Sequence, residues 1–265
     1  MTSSLYADDL ALALTIAAAV DSLTLRNFGS ENLTVETKPD DTPVTAIDRA
    51  AERLVRDMLA EERPADAVLG EEYGSVGDAR RQWVVDPIDG TKNYIRNVPV
   101  WATLIALVVD GEPVVGVVSA PALQRRWFAA QGDGAWLGFN TREATRLHVS
   151  SVNKLEQASL SYSSLSGWEE RGLLPAFVDL TRSLWRTRAF GDFWSYMMVA
   201  EGAVDLACEP ELALHDMAAL VPIVTEAGGV FTSLAGEPGP FGGDAIASNG
   251  HLHSEALRAL TTGAE

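Results

Sequence analysis

The run Trp83-Val84-Val85-Asp86-Pro87-Ile88-Asp89-Gly90-Thr91 constrains this chain more than any other segment. A β-branched strand delivers Asp86 at its C-terminal end, and Pro87 is expected to stop that strand. Asp89, Gly90 and Thr91 then follow in a tight turn. A fold that accepts this run must bury the strand and still bring two carboxylates together beside a hydroxyl and a glycine. Hard oxygen donors of this kind suit Mg²⁺, and glycine lets backbone N–H groups approach a phosphate closely. An Asp-Gly pair alone would read as a solvated turn; the whole run does not.

Around this segment the periodicity is informative. Leu5 to Phe28 reads as a helix, with Leu12, Ile16, Val20 and Leu23 at steps of three and four. Lys38 to Pro43 is a loop broken by two prolines. A second helix presents Ile47, Ala50, Leu54, Val55 and Met58 on one face, with Thr45 as its N-cap. Val68 and Leu69 form a short strand leading to Gly70-Glu71-Glu72. Ala102 to Val109 and Pro113 to Ala120 read as antiparallel strands joined at Asp110-Gly111. A strand near Trp127 turns at Gly132-Asp133-Gly134.

The second half changes character. Short apolar runs (Leu147 to Val149, Ala158 to Tyr162, Val204 to Cys208, Gly229 to Thr232, Ala245 to Ala247) alternate with helical stretches near 169–184, 193–202, 216–227 and 253–261. That alternation predicts an α/β protein with an α+β N-terminal half, divided near residue 145. Residues 1–145 would carry most of the acids of interest, and residues 146–265 the remainder.

Lys and Arg number 20 against 37 Asp and Glu, a net charge of −17. Nucleic acid is disfavoured, because phosphate backbones are bound through Lys and Arg. The longest uncharged run, Asn97 to Val109, is too short to span a bilayer, so no membrane partner is expected. The apolar stretch Leu10 to Val20 follows Asp8 and Asp9, with no Lys or Arg before Arg26, which reads as a helix and not a secretory signal. The single cysteine, Cys208, allows no intrachain disulfide and fits a cytoplasmic protein. An acidic chain can hold an anion only where bound cations invert the local field.

Four segments occur in an order that resembles the inositol monophosphatase superfamily of metal-dependent phosphatases. They are Lys38 to Asp48, Gly70-Glu71-Glu72, Asp86-Pro87-Ile88-Asp89-Gly90-Thr91 and Asp216-Met217-Ala218-Ala219. One departure is His215, where that family usually has tryptophan. The resemblance implies a layered αβαβα sandwich, a homodimer, and two or three Mg²⁺ ions, with Mn²⁺ an alternative. It implies that Glu71, Asp86 and the Ile88 carbonyl hold a first ion, and Asp86, Asp89 and Asp216 a second. Asp48 would serve a third, weaker ion near Glu71, directly or through water in the manner of that family. Thr91 and Glu71 would orient the attacking water, with Asp89, Gly90 and Thr91 also facing the small phosphate ester.

Arg188, Asp192 and Glu209 match positions that contact the non-phosphate part of the substrate. Gly191 to Tyr196 and Ala200 to Asp205 resemble the histidinol-phosphate phosphatases of this superfamily, especially the actinobacterial type. Acids beside an aromatic wall suit a cationic substrate. An inositol or sugar-phosphate phosphatase, or a non-catalytic module of the same fold, are the other readings. Asp192 could instead cap the following helix, and Arg188 could pair with Glu209. Lys38 reads as a solvated loop charge, His251 and His253 as solvated or capping residues, and Cys208 as a small buried residue.

Overall fold

The computed structural model describes residues 5–30, 33–38 and 42–261; Pro39, Asp40 and Asp41 of the expected loop lie outside them. The chain opens with α1 (Ala7–Asn27), a ribbon of β1 (Val35–Thr37) and β2 (Pro43–Thr45), and α2 (Ala46–Glu62). Then come β3 (Ala67–Gly70), β4 (Gly74–Val76), β5 (Arg81–Asp89), α3 (Thr91–Ile95), β6 (Ala102–Val109) and β7 (Glu112–Ala120). The strands β8 (Arg125–Ala130), β9 (Gly134–Leu137) and β10 (Thr145–Arg146) complete an eight-stranded sheet ordered β10-β9-β8-β7-β6-β5-β3-β4. All its pairings are antiparallel except β3 with β5.

The remaining elements are β11 (Ser159–Ser161), α4 (Ser166–Glu170), α5 (Leu174–Ser183), β12 (Arg186–Arg188), α6 (Asp192–Ala200) and β13 (Leu206–Glu209). They are followed by α7 (Leu214–Met217), α8 (Leu220–Glu226), β14 (Val230–Thr232), β15 (Ala245–Ser248) and α9 (His253–Thr261). A five-stranded mixed sheet has the order β12-β11-β13-β15-β14.

Strand alternation sorts side chains into layers. From β5, Trp83 and Val85 pack against Ile16, Val20 and Val55 of α1 and α2, while Val84 faces Met197 and Val224 of α6 and α8 in the opposite cluster. From β13, Ala207 joins that same inner cluster, whereas Leu206 and Cys208 face Phe177, Leu180 and Leu260 of α5 and α9. The expected αβαβα sandwich results. No helix among the described residues is long and apolar enough to cross a membrane.

Several local expectations need correction. The strand does not stop at Pro87: β5 runs on to Asp89, with a register shift between Asp86 and Asp89. Proline lacks an N–H for the ladder, so it is accommodated at that irregularity, where its carbonyl accepts the Thr103 hydroxyl at 2.9 Å. The apolar run Leu147 to Val149 is not a strand; β10 is the polar pair before it. The helix expected over 169–184 divides at Gly172, whose φ is +70°. The one expected over 216–227 begins at Leu214 and lapses at Ala218 and Ala219, because Pro222 cannot donate to the carbonyl four residues back.

Sheet and inner helices approach closely at Gly116 on β7. A Cβ there would lie 2.3 Å from the Ala219 carbonyl oxygen and 2.7 Å from Pro222 Cγ. Gly116→Ala is therefore expected to destabilise the fold by about 1–3 kcal/mol, since backbone must shift to admit the methyl group. Thermal melting checks this, and an unchanged midpoint would contradict the packing described.

Candidate active site

Six of the acids singled out by the sequence sit at element ends that open on one cleft of about 900 Å³, and Asp48 lies buried outside its lining. Asp86 and Asp89 come from the end of β5, Glu71 from the residue after β3, Asp216 from α7, Glu209 from the end of β13 and Asp192 from the start of α6. Ligand oxygens of Asp86, Asp89 and Asp216 lie within 4.8 Å of one another. Ligand atoms of Glu71, Asp86 and His215 meet the same limit, so Asp86 belongs to both groups. A donor set dominated by carboxylate oxygens fits hard divalent cations, and two groups with a shared member could hold two ions.

The backbone is shaped for this convergence. Gly90 has φ +84°, and a Cβ there would lie 2.9 Å from the Val100 carbonyl oxygen. Thr91 then starts α3, and its hydroxyl lies within hydrogen-bond distance of Asp48 Oδ1 (3.2 Å) and the Ile88 carbonyl (3.0 Å). Asp48 is fully buried, and its other oxygen accepts the Thr45 N–H at 2.9 Å, completing a capping box for α2. Asp48 thus combines a structural cap with a contact to Thr91.

Burial and crowding of like charges dominate the electrostatics. Burial pushes the Asp86 carboxyl well up, and the charges of Glu71, Asp89 and Asp216 push it further. Asp89 rises through burial and then through Asp192 and Asp216, although the Phe193 N–H, donating to it at 2.8 Å, opposes this. For Asp216, burial raises the pKa and the adjacent His215 lowers it, with a net rise. Asp192 is pushed up to about 6, by burial and then by Asp216. Burial pushes Glu209 up to about 8, against a Ser163 hydroxyl and with the charges of Asp192 and Asp216. Divalent cations would relieve this repulsion, so the residues fit the metals that the motif resemblance implies.

Lys38 is not a solvated charge. Its Nζ lies 2.6 Å from both Glu71 and Glu72, with the side chain only 16% exposed. Burial works to lower its pKa, but the hydrogen bonds it donates to the two glutamates, with their charges, outweigh that and raise it. Arg188 does not pair with Glu209: it is exposed on the edge strand β12, outside the cleft lining, and its Nη1 donates to the Thr187 carbonyl. Asp192 does not cap α6 with its side chain; Gly191 is the N-cap, and the Asp192 carboxylate accepts from Asn93 Nδ2 at 2.9 Å. His253 is buried between the Thr232 and Ser248 hydroxyls, at 3.0 and 2.9 Å, while His251 is exposed.

Sequence reasoning missed several residues that shape the site. Glu52 accepts the backbone N–H groups of Glu72 (2.7 Å) and Tyr73 (3.2 Å) and is held by Arg56 at 2.7 Å, so it fixes the turn that carries Glu71. Its spacing of four from both Asp48 and Arg56 was the available signal. Asn93 bridges the Val100 carbonyl and Asp192. Tyr196 shares with Glu209 a recess of about 160 Å³ beside Asp89. Its hydroxyl and the Glu209 carboxylate are both buried and interact with each other there.

The family model for the inositol monophosphatase family matches residues 6–263, and the chain belongs to that family. It is therefore a phosphatase by class. A histidinol-phosphatase of Streptomyces coelicolor is 61% identical, over 95% of this chain and 96% of that protein. One from Mycobacterium tuberculosis is 58% identical, over 97% and 99% of the two chains. Among solved structures, an inositol monophosphatase from Zymomonas mobilis superposes with a TM-score of 0.86 at 36% identity, covering 97% of this chain and 99% of that one.

Because folding raises the Glu209 pKa, its protonated form stabilises the native state. That contribution is complete below the ordinary carboxylate range and is lost as pH rises through about 8. The metal-free protein is expected to melt at falling temperatures from about pH 5 to 8, and Glu209→Gln to reduce that slope. A melting profile with the same pH slope in both proteins would show that Glu209 does not titrate in this way.

Proposed function

We propose that this protein hydrolyses histidinol phosphate to histidinol and phosphate, using Mg²⁺ held by Glu71, Asp86, Asp89 and Asp216. The observation that carries the substrate assignment is the acidic recess of Asp192 and Glu209 beside the carboxylate cluster. Relatives named histidinol-phosphatase, at 61% and 58% identity over nearly the whole chain, support it. The substrate's ammonium group would meet these acids, which repel one another until a cation arrives. The Tyr196 hydroxyl beside Glu209 would help to orient that carboxylate toward polar atoms of the alcohol.

When bound, the metals supply positive charge for the phosphate and lower the pKa of water toward neutrality. The chain's own residues position the reactants. With its proton donated to Asp48 Oδ1, the Thr91 hydroxyl oxygen can accept a hydrogen bond from the attacking water. Glu71 is the second acceptor for that water. Together they aim its remaining lone pair at phosphorus, in a reaction that depends mainly on positioning and charge stabilisation. Two or three ions, with Mn²⁺ able to replace Mg²⁺, complete this reading. So do a homodimer, a cytoplasmic location, a role in histidine biosynthesis and two subdomains meeting near residue 145.

Activity should vanish on chelation and return with Mg²⁺. Asp86→Asn should lower kcat/KM by about 10²- to 10³-fold, roughly 3–4 kcal/mol, and near-wild-type turnover by a folded variant would sink the mechanism. For specificity, Asp192→Asn or Glu209→Gln should lower kcat/KM for histidinol phosphate by about 1–3 kcal/mol, roughly 5- to 150-fold. Inositol 1-phosphate should be affected less. Equal losses on both esters, or a wild-type preference for inositol 1-phosphate, would overturn the substrate assignment and leave the phosphatase class intact.

A further inference from the structure

We infer that His215 is a nitrogen ligand of the metal bound between Glu71 and Asp86, giving this site a mixed nitrogen and oxygen donor set. The inference rests on the metal-site reading above and concerns a residue that this reading does not use. His215 lies on α7, immediately before Asp216. One of its ring nitrogens lies within 4.8 Å of carboxylate oxygens of Glu71 and Asp86. The imidazole is enclosed, with 23% of the side chain exposed.

The one charged contact of this ring among the described residues is with Asp216. No hydrogen bond to His215 is formed among the described residues, and its Nε2 stands 3.6 Å from Asp216 Oδ1, too far for a good hydrogen bond. A ring nitrogen therefore stands at a point where two acids already converge, placed to offer its lone pair to a metal. Among the described residues, no other histidine belongs to such a group. His253 engages both ring nitrogens elsewhere.

The chemical consequence is selectivity. Imidazole adds little for Mg²⁺, which prefers oxygen donors, but strengthens binding of later first-row ions in the order Mn²⁺ < Fe²⁺ < Co²⁺. This chain should therefore favour Co²⁺ over Mg²⁺ more strongly than an all-oxygen site would. The device is a side chain of the protein, and binding can be read without turnover.

The test uses metal-free full-length protein. Mn²⁺ is added to wild type, and electron spin-echo modulation is recorded for the ¹⁴N signature of coordinated imidazole. Calorimetry then gives Kd for Co²⁺ and Mg²⁺ in wild type, His215→Ala and His215→Gln. We expect imidazole modulation in wild type and its loss in both variants. Co²⁺ should weaken by about tenfold or more, with Mg²⁺ changing by less than about threefold. Bound Mn²⁺ without nitrogen modulation in wild type overturns the inference even if neither variant folds, and so does an equal weakening of Co²⁺ and Mg²⁺. Failure of wild type to bind any of these ions would overturn the metal-site reading as well.

Discussion

The mutual repulsion of a few buried carboxylates is the constraint on which the rest of this structure depends. Asp86 is 2% exposed and feels the charges of Glu71, Asp89 and Asp216 with little water to screen them. Left alone, such a cluster would protonate or disperse. Here it is pinned from outside. Glu52 holds the turn that carries Glu71, the Phe193 N–H holds Asp89, the Ala213 N–H holds Asp216 at 2.7 Å, and the Ile88 N–H holds Asp86 at 3.0 Å. Each brace is a backbone donor or a salt-linked acid, fixed by an element end that the layered core positions. Lys38 adds a cation at the edge of the cluster. The sandwich thus holds together a charge cluster that a bound cation would relieve, in keeping with a metal-dependent phosphatase family.

What the sequence disclosed was local. The Thr45 cap and the Asp110-Gly111 turn each depend on residues a few positions apart, and each was readable. The order of the acidic motifs gave the family and the layers. Legibility ended where partners are far apart in the chain. Asn93 reaches Asp192 across 99 positions, and Asp89 reaches Phe193 across 104. No periodicity encodes such a pairing. Lys38 looked solvated because the glutamates that hold it are 33 and 34 positions on. Arg188 matches a substrate-contacting motif position, yet it is exposed on β12 and outside the cleft lining, a placement that motif order does not encode. Pro87 was read from its missing donor alone, without the neighbouring strand whose irregular register admits it.

The two halves of the chain share one interior. Helices α6 and α8 lie in the second half of the sequence, yet their apolar faces fill the gap between the two sheets and close on Val84, Leu104 and Val118 of the first. The cleft lies where this shared layer reaches the surface, so its two walls are set by one packing arrangement. Burial of Phe193, Met197 and Val199 fixes the start of α6 to within the tolerance of a packed core, and that start carries Asp192.

Asp192 itself sits at φ +50°, in the left-handed region. Most side chains are strained there, and glycine, asparagine and aspartate are the residues that visit it readily. At this rim position the backbone therefore restricts the alphabet before any ligand is considered. The side chains admitted at residue 192 thus reduce to a charge, an amide and bare space, so divergence there proceeds in a few discrete steps.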